Sequence, residues 1–495
     1  MEGVSEPLDE SPTDILDTGQ AGGLVMRGAV LRLAGFGAGA VLTGVSAILL
    51  TRYLGVARFG QYATIVAVAT LVTQLTEGGL TSLVTRDFSL TTPAGKAKLI
   101  GDRIGLQIIT TLLAIALCGV FALAAGYGTV RTWATLAAAL GLGLAMLQIT
   151  VSVPLIASLR LGVTSGLELA RQAILVTLTV ILVLVGAGFL PFLAAIIPSS
   201  LIVLAATWML ARKEVRIWPA FRPAAWAALL RPALVLSFSM GVGAIYVFTT
   251  QILTSLTASS NQTGLFAASL RVFVVIASTP GLMVTSALPL LARAARDDAE
   301  RLEFALQRLF EVALIAGVGV GVILVVGATP IIEVLGGTRY AGAVGPLRIE
   351  GAAVLGTCLT PVWSTGLLAL HRHSSQLACN LIGLAVIASA TLILTPTIGA
   401  RGAAVATVAG EWTVAIGLLI ALLVANRRFA PNARNVWRVA LAGGGGFATM
   451  LLPIPAVAQL VLAIAVYATT IGVLRALPQE LLELIPSRTA RRRRS

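Results

Sequence analysis

Glu77, Arg271, Glu350 and Glu411 are ionisable residues set inside long apolar runs of a 495-residue chain. An ionised side chain at mid-membrane costs roughly 2.5–3.5 kcal/mol on an insertion scale, so each must face protein or a water-filled cavity. Glu77 stands about two-thirds along its run, just before a Gly-Gly pair. It reads either as a hydrogen bonder between helices or as a proton-coupling, cavity-shaping carboxylate, and Glu411, mid-run, is read as a second proton-coupling candidate. Arg271 falls about eight residues into its run, roughly 12 Å below the surface at the helical rise. An aqueous cavity or an acidic partner suits it better than snorkelling, and its planar fork fits two phosphate oxygens while keeping its charge when partly desolvated.

Arg52 and Arg86 close two runs, where interfacial anchoring competes with attraction of an anion. Arg348 and Glu350 are two apart and point in different directions on a helix, whereas Glu168 and Arg171, three apart, suit a local ion pair. No catalytic constellation emerges. His371 and His373 are the only histidines and have no Cys or carboxylate cluster beside them, and neither a phosphate-cradling glycine loop nor a serine elbow occurs. The reading is therefore no enzyme, no cofactor and no metal. Cys118, Cys358 and Cys379 all lie in apolar runs and read as small packed hydrophobes.

The elements that must position these groups follow from composition. The chain is 57% hydrophobic and 11% charged, with a mean hydropathy of +0.94, more apolar surface than a soluble domain can hide. Runs of about 20 apolar residues predict an all-α, polytopic membrane protein of about 14 helices. They fall near 28–51, 59–86, 101–126, 131–157, 165–188, 190–211, 231–257, 263–292, 305–327, 342–370, 374–395, 400–425, 436–454 and 455–476. The longest links are 87–100, 212–230, 293–304 and 328–341. Pro154, Pro198, Pro280, Pro289 and Pro361 lie within helices, where a missing amide donor bends the axis.

With the N-terminus inside, 28 of the 35 basic residues fall at cytoplasmic ends and loops, which by the positive-inside bias predicts an even helix number and both termini inside. The net charge of +14 then reflects topology against an anionic leaflet and implies no nucleic acid. Residues 1–24 are acidic, polar and Pro-containing, and read as a disordered cytoplasmic tail with no cleaved signal.

An internal repeat offset by 204 residues carries Arg27 to Arg231, Gly37 to Gly241, Gly39 to Gly243, Gly60 to Gly264, Tyr62 to Phe266 and Ala63 to Ala267. Six matches in register suggest a duplicated bundle. The expected organisation is a tail at 1–24, a first lobe at 25–211, a cytoplasmic linker at 212–230, a second lobe at 231–426, two further helices at 427–476 and a basic tail at 477–495.

Several stretches carry a resemblance. The run from Arg52 to Tyr62 with Glu77-Gly-Gly-Leu80, Gly264 to Ala268 with Pro289 to Arg293, Leu335 to Ala341 running into Leu347-Arg348, and Thr395 to Ala404 resemble, in order and spacing, the bacterial polysaccharide flippases. That family moves undecaprenyl-pyrophosphate-linked oligosaccharides and belongs to the multidrug/oligosaccharidyl-lipid/polysaccharide exporter superfamily. The resemblance covers about residues 27–426. It implies two pseudo-symmetric six-helix lobes that open alternately to either side, two C-terminal helices outside them, and a place in the bacterial cytoplasmic membrane. Its cargo would be a lipid-linked oligosaccharide, with membrane lipids, a polysaccharide polymerase or other assembly proteins as partners. Arg271, with Arg52 and Arg86, would attract the pyrophosphate, and Gln74 and Gln251, with Thr73 and Gln148, would accept sugar hydroxyls.

Departures narrow the cargo. Lipid II flippases carry arginines in helix 1 and before the helix 2 glutamate, where this chain is neutral from Leu33 to Thr51 and has Thr73-Gln74. Drug antiporters usually hold a carboxylate in helix 1 or 7, and Leu33–Thr51 and Pro232–Thr257 contain none. A cation-coupled drug or metabolite antiporter and a non-transporting membrane scaffold are the alternative readings.

Overall fold

The computed structural model describes residues 20–158, 160–215, 217–286, 299–429, 431–432 and 435–474. Residues 1–19, the basic tail at 477–495 and the Pro289–Arg293 stretch lie outside them.

Helix α1 runs Gln20–Glu77, interrupted at Gly55, whose φ of 69° is open to glycine. An unbroken helix of 58 residues would be about 87 Å long, far beyond a hydrocarbon core of about 30 Å, so α1 is two helices joined at Gly55. Gly78 and Gly79, both at positive φ, end the second of them. α2 follows at Leu80–Leu90 and α3 at Pro93–Ala124, with Pro93 in the first turn, where its missing N–H costs nothing. Gly126 closes α3 at φ 68°, and Tyr127 N–H reaches back to Ala122 O at 2.9 Å.

The first bundle continues through α4 (Thr129–Val151), α5 (Val153–Ala157), α6 (Leu161–Leu184), α7 (Phe189–Ala194) and α8 (Ile196–Ala211). α4 and α5 join through Ser152, and α7 and α8 through Ala195, both in helical conformation, so Pro154 and Pro198 lie within the single spans Thr129–Ala157 and Phe189–Ala211, each beside a local interruption of the helix. α4 packs on α3 and α8, and α6 packs on α1.

The second bundle comprises α9 (Pro223–Thr257), α10 (Ser260–Ser286), α11 (Ala299–Val326), α12 (Ala328–Gly336), α13 (Val344–Gly351), α14 (Ala353–Ala369), α15 (His373–Ile398) and α16 (Ala400–Ala425). α15 lies on α16 and α9, and α14 on α16 and α11. α17 (Val436–Ala448) and α18 (Ala456–Val473) pair with each other and lean on α11. The bundles meet where α1 packs on α9, α10 and α12.

Eleven helical stretches among the described residues are long and apolar enough to cross a membrane, and Gly37–Leu90, interrupted at Gly55, is one of them. The all-helical membrane fold agrees with expectation, whereas the count of 14 is not reproduced by this measure. α17, with 13 residues, is too short to qualify. The expected links at 87–100 and 328–341 are largely helical, and the link after α8 ends at Arg222, where α9 begins its cap. Hydropathy marks the apolar core of a helix and misses its polar extension: α3, at 32 residues, spans about 48 Å.

Candidate functional site

Polar and charged side chains collect at the two ends of the surface between the bundles and at one place midway. At the Gly55 end the contact is close. Thr51 Oγ1 donates to Leu335 O at 2.6 Å, and Arg52 Nη2 donates to Val334 O at 2.9 Å and Glu333 O at 3.4 Å. These carbonyls belong to the last turn of α12, where Gly337 N–H already takes Glu333 O at 3.0 Å, and a cation and a hydroxyl from the first bundle serve Val334 O and Leu335 O, capping a helix of the second. Tyr340, fully buried, donates its hydroxyl to Thr51 O at 3.1 Å and meets the Phe59 ring edge-on at 6.3 Å. Gln251 Nε2 donates to Thr64 Oγ1 at 3.3 Å, and Gln61 Nε2 to Ser260 Oγ at 3.4 Å.

At the other end, Glu77 caps the helix break. Its carboxylate accepts Gly79 N–H at 2.8 Å and Thr81 N–H at 2.7 Å, satisfying orphan donors of α2. Arg103, which is fully buried, donates to Glu77 Oε1 at 3.4 Å and to Thr81 Oγ1 at 3.4 Å. Ser237 on α9 donates to the exposed-by-the-break carbonyl of Gly78 at 2.6 Å. Nearby, Arg222 Nε meets Asp102 Oδ1 at 2.7 Å and Trp226 Nε1 donates to Asp102 O at 3.0 Å.

Midway along α10, Arg271 is half-buried and makes no hydrogen bond or ion pair among the described residues. Tyr62 is the titratable side chain close enough to act on it. Two residues away, Ser269 is fully buried, donates its hydroxyl to Phe266 O at 2.9 Å, and lies beside Glu350 of α13, whose carboxyl oxygens are both enclosed. Glu411 is differently placed: Tyr246 OH donates to Oε1 at 3.0 Å and Thr357 Oγ1 to Oε2 at 2.8 Å, so one carboxylate ties α16 to α9 and α14.

The candidates from sequence thus separate. Arg52 and Gln251 lie at the closed end of the interface, engaged with the opposite bundle. Arg86 is 68% exposed and pairs with Asp87 at 3.0 Å, and Gln74 is exposed. Arg348 points to Thr329 and not to Glu350, as the two-residue spacing implies. Glu168 and Arg171 form the expected local pair. Cys118, Cys358 and Cys379 are buried free thiols. Asp102, Arg103, Tyr246, Ser237 and Tyr340 are not singled out by the sequence, where Arg103 lies at the start of the apolar run expected at 101–126. Arg103, Gln107 and Thr111 recur every four residues on one face of an apolar helix, a polar stripe that signals an inward-facing cluster.

The fold has close solved counterparts. The chain superposes on a lipid II flippase, MurJ, in an inward closed conformation, with a TM-score of 0.75 at 14% identity, covering 92% of this chain and 100% of that one. A multidrug resistance MATE family transporter of the MOP superfamily in an inward-facing conformation gives a TM-score of 0.65 at 14% identity over 81% of this chain and 98% of the other. A MOP superfamily transporter from Pyrococcus furiosus, for which reverse polarity of the binding pocket suggests a different function, gives 0.56 at 16% identity over 82% and 95%. No curated protein matches by sequence. These likenesses show the fold alone. A family model described as polysaccharide biosynthesis protein matches residues 49–345, a stretch that holds the Gly55 break, the Glu77 cap and Arg271. It covers well over half of the chain, which therefore belongs to the polysaccharide biosynthesis protein family.

Proposed function

We propose that the protein is a flippase that carries undecaprenyl-pyrophosphate-linked oligosaccharide from the cytoplasmic to the outer leaflet of a bacterial cytoplasmic membrane, for cell-surface polysaccharide synthesis. The observation that carries this is Arg271. It is a guanidinium between two bundles with no carboxylate to neutralise it among the described residues, and such a group favours an anion over a cation. Family membership supplies the biosynthetic context.

In this reading the two lobes, 25–211 and 231–426, rock about the interface so that Arg271 faces one side and then the other. The polyprenyl tail stays in lipid, and Gln74 and Gln251 meet sugar hydroxyls when the interface opens. Arg86 and Arg52 lie along the route of the pyrophosphate, and Arg52 also closes one end. Carrying one negative charge outward across an inside-negative membrane gains about 2.3 kcal/mol per 100 mV. Glu411 and Glu77 are the groups for any proton coupling, and polymerase or other assembly proteins receive the product. Both termini face the cytoplasm, as the distribution of basic residues supports.

Mass analysis of undecaprenyl-pyrophosphate glycans in a deletion strain tests the reading. A completed repeat unit accumulating on the cytoplasmic side, relieved by complementation, supports it. Unchanged lipid-linked intermediates with altered sensitivity to cationic compounds would replace it by the antiporter.

A further inference from the structure

We propose that Gly101, Asp102 and Arg103, three consecutive residues of α3, form the clamp that shuts the Glu77 end of the space between the bundles. The inference rests on the alternating-access reading and assigns to this site a part in it that Arg271 cannot play.

The clamp has two arms. Gly101 and Asp102 hold the strap that leads into α9. Ala220 N–H donates to Gly101 O at 2.9 Å, and a Cβ on residue 101 would stand 2.7 Å from Trp218 O, so only a glycine lets the strap lie flat on α3. Asp102, nearly fully buried, takes the Arg222 guanidinium at 2.7 Å, while its carbonyl accepts Trp226. Arg103 forms the other arm. It reaches Glu77, which spans the Gly78–Gly79 break, and the break turns the Gly78 carbonyl toward Ser237 of α9. Asp102 therefore holds α9 directly at its start, and its neighbour Arg103 acts through the Glu77 cap on the Gly78 carbonyl that takes Ser237, fifteen residues on.

Arg103 is the part able to let go. Its Nη2 contacts are long, at 3.4 Å, and its Nε and Nη1 have no partner although all are enclosed. A buried guanidinium with unused N–H groups is costly as it stands, and it gains hydrogen bonds when water or a new acceptor arrives. Gln107 Oε1, one turn along and likewise unpartnered, would accept from a water that itself accepts from Arg103 once this end opens. Separation of the bundles here breaks the Ser237 and Asp102 contacts and hydrates Arg103, whereas the contacts at Thr51, Arg52 and Gly60 stay formed.

The test is pulsed electron spin resonance on the full chain in lipid nanodiscs, with Cys118, Cys358 and Cys379 replaced by Ala. Spin labels at Ser82 and Ser374 report this end, and labels at Thr129 and Thr397 report the other. Ser237→Ala removes one hydroxyl without burying a charge, and Glu77→Gln keeps the shape of the cap. Each is expected to raise the long-distance population at Ser82–Ser374 about threefold or more, the change from losing one net hydrogen bond, with Thr129–Thr397 unmoved. Arg103→Lys should stay near wild type and Arg103→Met should not. Unchanged Ser82–Ser374 distances in both Ser237→Ala and Glu77→Gln, in a wild type that does open at this end, would overturn the clamp alone. A wild type that shows one distance at both ends, with and without lipid-linked oligosaccharide, would overturn alternating access and the clamp with it.

Discussion

Gly60 and Gly264, equivalent positions of the 204-residue repeat, lie against each other across the bundle interface. A Cβ on Gly60 would come 2.6 Å from Gly264 N and 2.7 Å from Ser260 O, and one on Gly264 would come 2.8 Å from the carbonyl carbon of Val56. Val56 is itself the repeat equivalent of Ser260, so each glycine meets the residue four before its partner. That reciprocity places a local two-fold axis between α1 and α10 and makes the crossing a backbone-to-backbone contact of the small-residue kind.

Gly60→Ala or Gly264→Ala should therefore wedge the bundles apart at this end. Overpacking of this sort costs about 1–3 kcal/mol, enough to depopulate the closed form severalfold. A disulfide between Gln61→Cys and Ser260→Cys, whose native side chains touch at 3.4 Å, reads the closure: oxidation is expected to be fast in the native background and slow in either alanine variant. Equal oxidation in all three would show that the glycines do not set the approach.

Arg52 offers a sharper choice. Its guanidinium caps Val334 and Glu333 at the end of α12, a charge–dipole contact worth about 0.3–1 kcal/mol. Arg52→Ala should lower the thermal midpoint in detergent by about 1 °C or less and slow the Gln61–Ser260 crosslink, and Arg52→Lys should recover part of both. An unchanged midpoint and crosslink, with lost binding of lipid-linked oligosaccharide, would move Arg52 from closure to cargo.

How much of this was legible in the chain depends on what kind of signal each feature leaves. The helical membrane class, the repeat and the buried carboxylates leave apolar runs, glycine spacing and charge in the wrong place, and all were readable. The role of Gly78–Gly79 was not, because a Gly-Gly pair in an apolar run is compatible with a tight helix crossing as well as with a break, and only the positive φ of both residues decides. Arg103 was hidden for a different reason. It lies at a helix end, where a basic residue ordinarily meets headgroups, and α3 begins eight residues earlier than its apolar run suggests, which moves Arg103 inward. Arg52 and Arg271 are both read from sequence as candidates to attract an anion, yet one meets carbonyls of a helix more than 200 residues away and the other has no such partner among the described residues.

For Arg271, the separation of charge from shape is the informative experiment. Arg271→Ala should abolish flipping in a complementation assay, and Arg271→Lys should retain part of it, since a lysine keeps the charge but loses the bidentate fork. Unchanged flipping in both variants would remove Arg271 from the site.

Glu411 separates structure from coupling. Tyr246→Phe and Thr357→Val each delete one donor to the carboxylate and should destabilise the second bundle by about 1 kcal/mol apiece. The two effects should fall short of additive, because both act on one group. Glu411→Gln keeps an acceptor for one hydroxyl and offers the other a donor, and both hydroxyls can rotate to suit, so the fold should survive with a near-native thermal midpoint. If Glu411 exchanges a proton during transport, this variant still binds cargo but no longer responds to a pH gradient imposed across proteoliposomes. A Glu411→Gln protein that keeps the full gradient response would leave Glu411 as a cross-brace of α9, α14 and α16, and would send the search for a coupling group to Glu77.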